Sequence, residues 1–225
     1  MTHRAALDPL LSPAERQLLL KLSTPNKIQD FLDSFPVNFS AIGEPVQSPR
    51  QVIKNKRAHC IEGAIVAAAS LAYHGREALL LDLQASDEDE DHVVALFKEQ
   101  NLWGAISKTN HPQLRWRDPV YQSVRELAMS YFHEYFLWDT SHNKKRVPTA
   151  RKGVKTLRAY SAPFNLMRYK PARWWAAGDL DWLAEELDSS RHFPLVQKAA
   201  IKKLRKVSKV EIKAAALTEY KNPLR

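Results

Sequence analysis

Apolar residues in the N-terminal part of the chain recur at helical spacing behind three similar helix-start signals. Each signal joins Ser or Thr to a following Pro, as SPAE at 12–15, TPNK at 24–27 and SPRQ at 48–51. The hydroxyl group suits the cap and Pro suits the first helical position, and Glu15 and Gln51 complete capping boxes. The pattern therefore predicts three helices in this part of the chain.

A longer apolar stretch follows and predicts an alanine-rich helix from about His59 to Tyr73. Its apolar residues recur at helical spacing and form a wide face. Gly75 comes directly after it and is typical of a helix C-terminus. Because alanine side chains are small, we expect neighbouring elements to approach this helix closely.

Three short apolar runs after this helix have the length of buried strands. An acidic surface loop is predicted between the first and the second, and a tight connection between the second and the third. Gly104 lies in the third run, where it weakens strand propensity but permits close approach by another backbone. The predicted strands span residues 76–84, 92–98 and 102–108.

The rest of the chain is predicted to be largely helical. Helices are expected from Asp118 to about Phe136, from Asp179 to Leu187, from near Pro194, and after a further capping box at 208–211. Tryptophans and basic residues alternate at 168–183. Such a segment can stack on nucleic-acid bases, but the large apolar area of Trp favours docking against the main domain.

Charge is distributed unevenly along the chain, and the imbalance suggests two regions. Residues 142–225 hold 20 Lys or Arg and 7 Asp or Glu, whereas the whole chain has a net charge of +9. We predict a core at 1–138 and a basic, mostly helical extension at 139–225. The extension can bind an acidic partner or nucleic acid, or it can simply be a solvated surface.

The overall composition excludes several classes of protein. Hydrophobic residues make up 44% of the chain and charged residues 26%, which is typical of a folded domain. No apolar run approaches the roughly 20 residues of a membrane span, so no membrane partner is expected. One cysteine and no visible export signal indicate a cytoplasmic location. Without a glycine-rich phosphate loop or paired Cys and His ligands, we expect neither a cofactor nor a metal.

The single cysteine, Cys60, lies in the first turn of the predicted alanine-rich helix. Unpaired N–H groups and the helix dipole favour a thiolate there, below the usual thiol pKa of about 8.5. His92 begins the second predicted strand and could accept the thiol proton. The alternative is that Cys60 is a small buried residue, His92 a surface residue and His59 a simple helix-start residue.

The order of these elements resembles the transglutaminase-like branch of papain-fold thiol enzymes. The resemblance rests on RAHCIEGAIVAAASLAYHGREALLLDL, on HVVALFKEQNLWGAISK and on the polar turn after it, within residues 24–120. Segments such as AHCIEGA also resemble an uncharacterised bacterial family. The resemblance implies an α+β fold with a papain-like, transglutaminase-type core, in which the Cys-bearing helix packs on a small antiparallel sheet, followed by a helical basic C-terminal extension.

The same resemblance implies a Cys60–His92 pair with a third residue that orients the imidazole. Family members usually have Asp at the position that Ser107 occupies here. Asn110, just past the strand, and Asp118 are the alternatives for the third residue. The implied function is a cysteine-dependent acyl or amide hydrolase or acyltransferase that acts on a peptide or another acyl or amide substrate. A non-catalytic interaction protein of this fold, or a nucleic-acid-associated protein acting through the basic C-terminal region, are the alternatives.

Overall fold

A computed structural model describes residues 3–38, 44–139 and 150–218 of the chain. Within these residues the protein combines helices with an antiparallel sheet, which confirms the predicted α+β class. Parts of the predicted C-terminal extension, at 140–149 and after 218, lie outside the described residues.

The N-terminal helices begin where the sequence predicts. Pro25 opens α3, and the Ser12 and Ser48 capping boxes precede α2 and α4. At the first of them, the Ser12 N–H donates to Glu15 Oε2 at 2.7 Å, and the Glu15 N–H donates to Ser12 Oγ at 3.2 Å. These helices are α1 (His3–Leu7), α2 (Pro13–Lys21), α3 (Pro25–Asp33) and α4 (Pro49–Asn55).

The alanine-rich helix α5 (Cys60–Tyr73) is the central helix of the fold, and all of its residues are buried. It contacts the four preceding helices on one side and the sheet on the other. Gly75 follows with a φ of 80°, in the left-handed region that glycine adopts at helix ends. The burial of α5 and its contacts on both sides confirm that neighbouring elements approach this helix closely.

The sheet places the three predicted strands side by side. Gln100 and Asn101 form the tight turn between the second and third, with φ angles of 50° and 66°. The strand order is β4-β3-β2-β1-β5-β7, and β6 pairs with β1 beside β5. The strands are β1 (Leu79–Gln84), β2 (His92–Glu99), β3 (Leu102–Ile106), β4 (Arg117–Tyr121), β5 (Ala159–Ser161), β6 (Phe164–Asn165) and β7 (His192–Pro194).

Gly104 in β3 permits the close backbone approach that the sequence predicts. A Cβ atom at this position would lie 2.8 Å from the Arg117 carbonyl oxygen of β4 and 2.4 Å from Phe97 Cζ. Both distances are shorter than carbon contacts allow. The strand pair therefore needs glycine at position 104.

We expect Gly104→Ala to lower the free energy of unfolding by about 1–3 kcal/mol, because the backbone of β4 must move away. Urea unfolding of the full chain measures this difference. Gly178→Ala is the matched control, since a Cβ there meets no heavy atom within 4 Å. Equal stability of the two variants would contradict the packing argument.

The predicted helix from Asp118 to Phe136 is confirmed only over Val124–Met129, and the prediction is wrong on both sides of this range. Residues 117–121 form β4, which pairs with β3 at the edge of the sheet, where Pro119 does not interrupt a ladder. Helix α6 (Val124–Met129) begins later, and Ser123 rather than Asp118 is its cap. The Ser123 Oγ accepts from the Glu126 N–H at 3.1 Å.

The segment after residue 150 is more closely integrated than a helical extension. Strands β5, β6 and β7, which the sequence analysis does not predict, join the same sheet next to β1. Three helices are present here: α7 (Asp181–Asp188), α8 (Lys198–Ile201) and α9 (Lys209–Thr218). Trp174 and Trp175 are 0% and 1% exposed in the core beside α5, so the predicted docking of this segment is confirmed.

None of the helices in the described parts of the chain has both the length and the apolar character that crossing a membrane requires.

Candidate active site

Cys60 is the first residue of α5, and its side chain is close to two imidazole rings. The residue is 8% exposed, and its Sγ lies 3.3 Å from Nδ1 of His59, the N-cap residue of the helix. The first backbone hydrogen bond of the helix runs from the Gly63 N–H to the His59 carbonyl at 3.0 Å. The N–H groups of the first turn, Cys60 included, therefore lack an acceptor within the helix and favour negative charge on the sulfur.

The surroundings of Cys60 stabilise its ionised form. Burial by itself raises the pKa of the thiol, but the charge of His59, the hydrogen bond to it and weaker contributions of both kinds from His92 lower this pKa to about 5. The Cys60 charge in turn raises the pKa of His59 to about 9, against the opposing effect of burial. At neutral pH the two side chains are therefore a thiolate and an imidazolium.

His92, the second predicted site residue, begins β2 and is 5% exposed. It lies close enough to Cys60 to help lower the pKa of the thiol. Its Nε2 lies 2.7 Å from Ser107 Oγ. Because Nε2 is hydrogen-bonded to Ser107, Nδ1 is the ring nitrogen of His92 that can exchange a proton with the thiol. The fold thus brings together the two residues that the sequence singles out.

Ser107, at the position where the resemblance implies Asp, contacts the imidazole of His92, and the roles expected for Asn110 and Asp118 stay predictions. Ser107 follows β3 and is fully buried. Asp118 is exposed on β4, where its Oδ1 accepts from Trp116 Nε1 at 2.8 Å. Asn110 lies half-buried in the loop three residues beyond Ser107. Among the described contacts, the one to Nε2 of His92 is made by Ser107.

Gln29 of α3 fixes the backbone of Ser107. Its Nε2 donates to the Ser107 carbonyl at 2.9 Å, and its Oε1 accepts from the Ser107 N–H at 3.0 Å. The next residue, Lys108, is also buried and donates from Nζ to the carbonyls of Leu32 and Phe35 at 2.7 and 2.5 Å. Burial lowers the pKa of Lys108 to about 8. Ser107 and Lys108 therefore connect the end of β3 to α3.

Gln29 and His59 are site residues that the sequence reasoning missed, although a signal for Gln29 exists. Gln29 shares the buried face of α3 with Pro25, Ile28 and Leu32, so it is a polar residue at a core position. Buried polar side chains need partners, which makes such a position a candidate for a structural or functional role. His59 has a signal too, since it adjoins Cys60 in the sequence, but it was interpreted as a simple helix-start residue because its contact with the sulfur depends on the local helix geometry.

A third imidazole, that of His111, lies close enough to His92 for its pKa to be affected. Burial, with a smaller contribution from the charge of His92, lowers the pKa of His111 to about 4. His111 is therefore neutral at physiological pH. The site accordingly combines a cationic imidazole at His59 with a neutral one at His111.

Glu62 organises the start of α5 and is 1% exposed. Its Oε2 accepts from the His59 N–H at 2.6 Å and from Gln47 Nε2 at 3.1 Å, and its Oε1 accepts from the Gln47 N–H at 2.9 Å. Asn38 Nδ2 is a more distant donor, at 3.5 Å from Oε2. The carboxylate thus holds the N-cap residue against the segment that precedes α4.

A cavity of about 740 Å³ lies beside His59 and has a strongly acidic wall. The predicted acidic surface loop between β1 and β2 forms much of this wall. Tyr135 donates to the Glu90 carbonyl, and Thr156 Oγ1 donates to Asp89 Oδ2 at 2.5 Å, so the loop is attached to the body of the protein. The residues lining the cavity include His59, Glu62, Asp87, Asp89, Glu90 and Asp188.

Comparison of the chain with protein-family models and with curated proteins finds no match, so the resemblance to transglutaminase-like enzymes stays a prediction.

Proposed function

We propose that the protein is a cysteine-dependent acyl or amide hydrolase or acyltransferase with a papain-like, transglutaminase-type fold. The observation that carries the proposal is the Cys60 sulfur at the first position of α5, 3.3 Å from His59 Nδ1, with His92 close enough to help lower the pKa of the thiol. A buried thiolate held in this way is a strong nucleophile at neutral pH. The proposed chemistry needs no cofactor.

In the first half of the reaction the Cys60 thiolate attacks the carbonyl carbon of the substrate. The carbonyl electrons move to oxygen, and the N–H of Cys60 at the helix N-terminus stabilises the resulting oxyanion. The tetrahedral intermediate collapses to a thioester, and protonated His92 donates its proton to the leaving amine or alkoxide. The enzyme then carries the acyl group on Cys60.

In the second half His92 accepts a proton from water or from an amine as that group attacks the thioester. The product is a carboxylic acid or a new amide, and the Cys60 thiolate is regenerated. His59 holds a proton throughout and stabilises the thiolate by its charge. The Ser107 hydroxyl orients the His92 ring without adding a charge, which differs from the carboxylate that the family usually has.

Acylation of Cys60 by p-nitrophenyl acetate tests this proposal. We expect a burst of p-nitrophenolate, an acetyl adduct on Cys60 by intact-mass and peptide mass spectrometry, and slower turnover. Cys60→Ala removes the adduct and the burst. His92→Ala lowers the turnover by about 100- to 10,000-fold, the usual contribution of a general acid–base.

His133→Ala is the matched control, because His133 is an exposed histidine away from these contacts. Wild-type turnover in His92→Ala, or an adduct that persists in Cys60→Ala, would contradict the proposal. Acylation of Cys60 that is independent of His92 and is followed by no turnover would instead favour the alternative of a non-catalytic interaction protein, which the neutral Ser107 at the third position also favours. The acidic or nucleic-acid partner of the basic C-terminal region and the cytoplasmic location stay predictions.

A further inference from the structure

Three carboxylates from separate elements converge beside the acidic cavity, and two of them, Asp91 and Asp188, line it. Asp82 lies in β1, Asp91 directly precedes β2, and Asp188 is the last residue of α7. One oxygen of each lies within 4.8 Å of the others. Asp188 is far from the other two in the sequence, so only the tertiary fold brings all three together. We refer to them as the three-aspartate cluster.

Asp82 is the buried member of the cluster, and its hydrogen bonding is incomplete. The residue is 2% exposed, and its Oδ2 lies 3.0 Å from His192 Nε2. Its Oδ1 is buried without a hydrogen-bond partner among the described residues. An unpaired buried carboxylate oxygen costs free energy, whereas a bound cation satisfies it.

The other two members also lie where a cation stabilises them. Asp188 lies at the C-terminal end of α7, where the helix dipole disfavours a carboxylate. Asp91 uses Oδ1 to accept from the Ala85 N–H at 2.7 Å, which fixes its side chain at the neck of the acidic loop. Like charges this close repel one another, and the nearest basic partner, His192, contacts Asp82.

We propose that the three-aspartate cluster is a binding site for a divalent cation of the calcium type. Calcium prefers oxygen ligands at about 2.3–2.6 Å, so two ligands on opposite sides of the ion are about 4.6–5.2 Å apart. The spacing within the cluster, at most 4.8 Å, fits inside such a shell. The ion would join β1, the acidic loop and α7. The inference does not depend on the proposed activity of Cys60.

Isothermal titration calorimetry of the full chain with CaCl₂, and separately with MgCl₂ and MnCl₂, tests the site. We expect one calcium per chain, bound more tightly than magnesium. Asp188→Asn is expected to weaken calcium binding by at least about tenfold, since one of three charged ligands is lost. Asp82→Asn is expected to abolish it. Glu185→Gln, an exposed residue of the same helix outside the cluster, should bind calcium as the wild type does.

Two results would overturn the inference. One is the absence of binding at about 10 mM of each metal, roughly ten times the weakest dissociation constant of protein calcium sites. The other is calcium binding that is unchanged in Asp188→Asn, which would assign the ion to another part of the acidic surface. Because Asp188 is exposed, its variant decides the question even if Asp82→Asn does not fold.

Discussion

Replacing His59 by alanine is expected to raise the pKa of the Cys60 thiol from about 5 towards the ordinary value of a cysteine. The charge of His59 and its hydrogen bond are the largest effects that lower this pKa, and both disappear in the variant. At pH 7 nearly all of the wild-type protein carries the thiolate. If the thiol pKa rises to about 8.5, this fraction falls by about 30-fold. Thiolate absorbance at 240 nm against pH measures the change.

The dependence of acyl turnover on pH separates the roles of His59 and His92. In His59→Ala we expect acyl turnover to recover as the pH rises above the new thiol pKa, because His92 still transfers protons. In His92→Ala turnover stays low at every pH, since the proton donor is missing. Full activity of His59→Ala at pH 6 would show that another group stabilises the thiolate. His133→Ala again serves as the control, and its titration should match the wild type.

Replacing Glu62 by alanine is expected to lower the free energy of unfolding by about 3–5 kcal/mol, the cost of leaving several buried hydrogen-bond donors without an acceptor. The loss leaves the His59 N–H, the Gln47 N–H and the Gln47 amide without their acceptor in the protein interior. For a chain of this length we expect the melting temperature to fall by about 6–20 °C. Calorimetry or circular dichroism measures the change.

Glu77→Ala is the matched control for this variant, because Glu77 is an exposed glutamate shortly after the same helix. Its effect should stay within about 0.5 kcal/mol. Glu62→Ala should also disturb the thiol titration, since the N-cap residue that contacts Cys60 loses its anchor. A variant with wild-type stability would mean that water satisfies these donors and that Glu62 is not structurally required.

Local signals predict much of this fold. Ser12 and Ser48 with their following prolines mark helix starts, because capping and proline geometry act within a few residues. The apolar runs that begin at Leu79 and at His92 are strands in the structure. The sequence predicts them because each run is long enough to display the pattern of a buried strand. By contrast, β5 to β7 contain only two or three residues each and leave no such pattern. Their strand conformation depends on pairing with β1 and with each other.

The candidate site likewise has features that the sequence predicts and features that only the tertiary structure shows. By itself the sequence determined that a lone cysteine opens a buried helix and that a histidine opens a strand, since both positions follow from local periodicity. Only the tertiary structure decided that Ser107 bonds to His92, because that contact depends on how the end of β3 is held by Gln29 from α3. The three-aspartate cluster is likewise a product of packing, because Asp188, far from the other two in the chain, meets them only when the sheet and α7 are assembled.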